Sequence, residues 1–69
     1  MIPSHEARLH RIGACISDLS RNGIHLLDVN VGTRFKLVQQ HLDYFQLMLG
    51  YDTDPDEILQ LVCDRVARN

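Results

Sequence analysis

Several things are scarce or missing in this chain, and each absence removes a class of function. Only two cysteines occur, Cys15 and Cys63, so at most one bridge can form and no disulfide framework is encoded. The opening Met1-Ile2-Pro3-Ser4 leads straight into charged residues without a leader-like apolar segment. Reduced thiols in a cytoplasmic protein, packed as small hydrophobes, are therefore expected. No apolar run approaches the roughly 20 residues that a bilayer-spanning helix requires, which removes a membrane from the expected partners. Cysteine and histidine spacing carries no zinc signature. Repeats, linkers and low-complexity stretches are also absent.

What is present is a single small domain over residues 1–69. A chain of this length buries only about 60% of the surface its unfolded form exposes, so its core needs support. With disulfide and metal set aside, a second subunit is the remaining aid. The net charge is −2, and it is unevenly spread. Residues 1–40 hold five basic and three acidic side chains, whereas residues 41–69 hold two and six. DNA-binding domains usually carry a clear basic excess. Any basic surface here is local, made by Arg8, Arg11, Arg21, Arg34 and Lys36.

The pattern predicts an all-α fold of three helices, about 4–22, 31–49 and 55–68, packed across a homodimer interface. Ser4 is a suitable N-cap for the first, with Glu6 in its first turn near the positive end of the dipole. Leu9, Ile12, Ile16 and Leu19 form its apolar stripe, and Asn22-Gly23 gives a left-handed stop with Ile24 folding back onto Leu19. Residues 24–31 could form a short strand, but no second strand exists to pair with it. A connector reaching an N-cap at Asp28 or Asn30 is the better reading. In the second helix, Val31, Phe35, Val38, Leu42, Phe45 and Leu49 alternate steps of four and three, and Gly50 ends it. A second set, Leu37, Tyr44 and Met48 with His41 beside it, lies roughly opposite. A helix apolar on two sides is normally covered on two sides, and this short chain can cover only one of them well. Leu37, His41, Tyr44 and Met48 are therefore assigned to the dimer interface. The third helix starts on Asp54-Pro55-Asp56-Glu57: a cap, a proline at the first helical position, and a carboxylate two residues after it.

No constellation of residues points to catalysis, and neither an enzyme activity nor a cofactor is expected. His5 and His10 are five residues apart, a poor spacing for one helix face, and His25 falls in the connector, so no metal site is read. His41 reads first as an ordinary partly exposed histidine, with a pH-sensitive interface residue as the alternative. Cys15 with a histidine would be a nucleophile pair, but it borders a packed stripe and has no glycine loop to form an oxyanion hole. The run Asp52, Asp54, Asp56, Glu57 lacks the glycine and terminal glutamate of a calcium loop, and helix capping accounts for it. A helix-turn-helix reader of DNA would need a shorter turn after Gly23 and a recognition helix richer in Arg, Asn or Gln. Contact with DNA through Arg8, Arg11 and Arg21 stays open as an alternative.

These pieces together resemble the small enterobacterial YmgB/AriR family of biofilm and acid-resistance regulators, which includes two-component-system connector proteins. The residues that carry the likeness are Ile12-Gly13, Ile16, Leu19, Asn22-Gly23, Val31, Phe35, Val38, Leu42-Asp43 and Ile58 to Val62, within roughly 9–63. The chain departs in the connector, where that family places a serine-type cap soon after the glycine. The resemblance implies a helical homodimer that modulates stress, biofilm or two-component signalling by contacting a protein. It carries over no catalytic residues. The expected function is accordingly a non-catalytic regulator with itself and a protein as partners. Arg8 and Arg11 on a basic side, and Asp52 and Asp56 on an acidic one, are the candidate contact residues. The alternatives are a dimeric DNA-binding transcriptional regulator and a phage-type inhibitor of a host protein.

Overall fold

The computed structural model describes residues 4–68. Residues 1–3, whose lack of a leader-like segment entered the cytoplasmic expectation, and residue 69 lie outside the described residues. All regular structure among them is helical: α1 (His5–Arg21), α2 (Val31–Gln40), α3 (Leu42–Leu49) and α4 (Pro55–Arg68). No helix among them is long and apolar enough to cross a membrane.

The ends of α1 follow from its sequence. The Ser4 side chain accepts a hydrogen bond from the Ala7 amide at 3.2 Å, satisfying one of the orphan donors of the first turn. At the far end Gly23 takes φ +83°. The Gly23 and Ile24 amides donate to Ser20 and Leu19 carbonyls at 3.0 and 2.9 Å, the paired bonds of a Schellman ending. The connector that follows contains no strand. It is tied down by Arg34, which is buried in α2 and donates from Nε to the Leu26 carbonyl at 2.7 Å and from Nη2 to that of Val29 at 3.5 Å. Between the two open cap choices the chain uses Asn30, whose Oδ1 accepts from the Thr33 amide at 2.8 Å.

The expected single helix over 31–49 is two helices. His41 leaves helical geometry at φ −113°, ψ 27°, although its amide still donates to Leu37 and its carbonyl accepts from Phe45, both at 3.1 Å. No proline or glycine sits at the break. The packing supplies the reason: α2 lies against α4, while α3 lies against α1. One apolar stripe serves two differently placed neighbours only if it turns between them. Val38, Phe45 and Leu49 are fully buried, whereas Val31 at the start of the stripe is exposed and Phe35 is half-buried.

Gly50 ends α3 at φ +124°. Asp54 then caps α4 through a 2.8 Å bond from the Glu57 amide to its Oδ1. The four helices close on one core of Leu9, Ile12, Cys15, Ile16, Leu19, Leu26, Val38, Phe45, Leu49, Ile58, Leu61 and Val62. Cys15 is buried there as a free thiol, and Cys63 is free and half-buried.

Candidate functional site

The residues expected to meet partners are distributed differently from the sequence expectation. Arg8 is not part of a basic surface. It is 4% exposed, and its guanidinium bridges two carboxylates across the fold. Nη1 donates to Glu57 Oε2 at 2.6 Å, and Nη2 to both Asp52 oxygens at 2.9 Å. The segment α1 brings to this place meets the turn after α3 and the first turn of α4, so three elements are locked by one side chain. Arginine suits the position because its planar fork reaches two acids at once. The hydrogen bond from Arg8 holds the Asp52 carboxyl below its ordinary range, and the two carboxylates raise the Arg8 guanidinium above its own. Arg8 and Asp52 were assigned to opposite docking patches, and they are instead each other's partners. The split of charge between chain halves is in part this bridge. Arg11 and Asp56, the other two contact candidates, are exposed.

The four residues given to a dimer interface are neither buried nor open. Leu37, Tyr44 and Met48 are half-buried and pack on the chain's own core, and His41 is half-buried at the helix break. Tyr44 is further anchored by its hydroxyl, which donates to Asp18 Oδ2 of α1 at 3.1 Å. Burial and the neighbouring Cys15 thiol and Asp18 carboxylate push the Tyr44 phenol up; burial pushes the Cys15 thiol up as well. Both groups are therefore held protonated at neutral pH. Beside this flank on α3, Leu47 is 66% exposed; Tyr51, in the turn after α3, is 75% exposed. Leu47 stands three residues after Tyr44 on α3, about 60° round the helix. Sequence periodicity had left Leu47 out because it fits neither stripe. A leucine in that position, next to a half-covered apolar face, was the available signal.

The histidines do not converge. His5 Nε2 faces Asp64 at 3.7 Å, His25 Nδ1 faces the Ser20 hydroxyl at 3.3 Å, and His10 lines a cleft between α1 and α4. No group of three or more metal-ligating side chains exists among the described residues.

No protein-family model matches the chain, and neither a curated protein nor a solved structure matches it significantly.

Proposed function

We propose that this chain is a non-catalytic regulatory protein that acts by binding a protein partner, and that it does so as a helical homodimer joined along the outer flank of α2 and α3. One observation carries the proposal. Leu37, Tyr44 and Met48 are only half-covered by their own core, and Leu47 beside them on α3 is exposed. Apolar surface of that kind, on a chain too short to support a large core, is the usual mark of an interface. The likeness to the YmgB/AriR family adds the kind of role: modulation of stress, biofilm or two-component signalling in the cytoplasm. A phage-type inhibitor of a host protein would rest on the same physical surface.

The DNA-binding alternative loses support from the ion pairs. Of Arg8, Arg11 and Arg21, Arg8 is bridged to Asp52 and Glu57, and Arg21 is bonded to Asp18. Only Arg11 has no carboxylate partner among the described residues. The test is duplex-DNA binding at low and moderate salt, run beside affinity capture from lysate with the native chain and an Arg11→Glu, Asp56→Lys variant. Specific capture that weakens in the variant, with no DNA shift at either salt, is expected. Salt-sensitive DNA binding abolished by Arg11→Glu would overturn the proposal, because loss of affinity with salt is the signature of phosphate contacts.

A further inference from the structure

Gly13 sits in the interior of α1, where glycine is a poor helix former, and no turn or left-handed backbone there requires it. What lies over it is the end of a side chain from α4. A Cβ on Gly13 would lie 2.8 Å from Arg65 Cζ, 2.9 Å from Nη2 and 3.0 Å from Nη1. Three nearly equal distances from one point mean that the guanidinium lies face-on over the glycine, with its N–H edge directed along the surface. Arg8, Arg34 and Arg65 are the arginines drawn out of full exposure. The first donates to carboxylates and the second to backbone carbonyls, whereas Arg65 has no acceptor among the described residues. Arg65 lines both clefts of a groove between α1 and α4. On one side is a cleft of about 310 Å³, lined by Glu6, Leu9, His10, Arg65 and Arg68. On the other is a cleft of about 130 Å³, lined by Gly13, Ile16, Ser17, Leu27 and Arg65.

We propose that Arg65, seated on Gly13, receives a carboxylate from an acidic segment of a protein partner laid along the α1–α4 groove. The inference rests on the protein-binding role above and names the partner's chemistry. Charge selects an anion: Arg65 and Arg68 line the groove against one acid, Glu6, which already faces Arg68 at 3.4 Å. The edge of a guanidinium matches a carboxylate in a bidentate geometry. Leu9 and Ile16 supply an apolar floor and the exposed Leu27 a lip, which suits an aspartate or glutamate flanked by apolar side chains. A nucleic acid fits less well, since the chain carries a net charge of −2 and offers one open guanidinium here.

The experiment is an NMR titration at fixed ionic strength with three probes: a peptide of alternating leucine and glutamate, its glutamine analogue, and inorganic phosphate. The glutamate peptide is expected to shift the Arg65 Nε–H and Gly13 signals saturably and to bind at least about tenfold more tightly than the glutamine analogue. Arg65→Gln should remove that preference. Gly13→Ala should weaken it by displacing the guanidinium, while the melting temperature stays equal or rises because alanine is the better helix former. A folding defect would lower the melting temperature, so the two effects separate. Equal affinity for both peptides, or binding unchanged by Arg65→Gln, would overturn the proposal. Saturable binding of phosphate alone would make this a small-anion site and also overturn it. Light scattering on the same samples reads the dimer independently, so loss of the groove leaves the α2–α3 interface standing or falling by its own measurement.

Discussion

Arg8 Nη2 and the Asp52 carboxylate lie 2.9 Å apart across 44 residues of chain, and that contact joins the first helix to the turn before the last. A second bond from the same guanidinium, 2.6 Å to Glu57, extends the lock into α4. The bridge is asymmetric: the arginine is buried, while the Asp52 and Glu57 side chains are 51% and 36% exposed. Removing Arg8 therefore leaves two carboxylates that water can rehydrate. Loss of a fully buried pair would cost more. Arg8→Met should cost about 1.5–3 kcal/mol in urea unfolding, in the range of hydrogen bonds to charged groups. Arg8→Lys should also destabilise, because a single ammonium lacks the fork that spans both acids. A Lys variant as stable as the native chain would show that the fork geometry contributes nothing.

The same bridge predicts how stability responds to acid. Asp52 has a folded-state value lowered by its bond to Arg8. Such a group contributes stability that is fully present above its unfolded value, near 4, and is lost as pH falls through the lower folded one. Asp52→Asn should thus be less stable than the native chain at pH 7. The gap should close progressively as pH falls below about 4. Chemical unfolding of both proteins between pH 2 and 7 checks this; a gap independent of pH would assign the effect to packing.

The two glycines with positive φ should respond unequally to alanine. At Gly23 nothing lies within 4 Å of an added Cβ, so Gly23→Ala carries only the left-handed backbone penalty, about 1 kcal/mol. At Gly50 a Cβ would stand 2.9 Å from Asp52 Oδ1 and 3.5 Å from Arg8 Nη2. Gly50→Ala should cost more than Gly23→Ala, and part of the excess should vanish in an Arg8→Met background. Additive losses in that double-mutant cycle would separate Gly50 from the bridge.

The caps were legible in the sequence because they depend on neighbours in the chain. Ser4, Asn22-Gly23 and Asp54 each act within a few residues, and each occupies its expected place. The apolar stripes were legible for the same reason. What could not be read was any relationship set by how the helices meet. The turn at His41 arises because α2 and α3 face different neighbours, and no residue type marks it. The burial of Arg8 arises from carboxylates 44 and 49 positions away, so a charge that reads as surface is an internal tie. Val31 fits the periodic stripe yet lies exposed, at the first position of α2. Arg65 over Gly13 is a contact between α1 and α4 of the same kind.

Asp54→Ala removes the bond to the Glu57 amide and should cost about 0.5–2 kcal/mol. Because Glu57 also holds Arg8, fraying of this turn should weaken the bridge, and the loss should fall toward the upper end of that range. Thermal unfolding with and without Arg8→Met measures the coupling.

The interface on the flank of α2 and α3 is tested most directly by sedimentation velocity at micromolar concentration. The native chain should sediment at twice its 7.9 kDa mass. Leu47→Glu with Met48→Glu should sediment at the single-chain mass while its circular dichroism stays helical, since Leu47 is exposed and Met48 half-covered. A native chain that remains at 7.9 kDa, with both substitutions silent, would contradict the account.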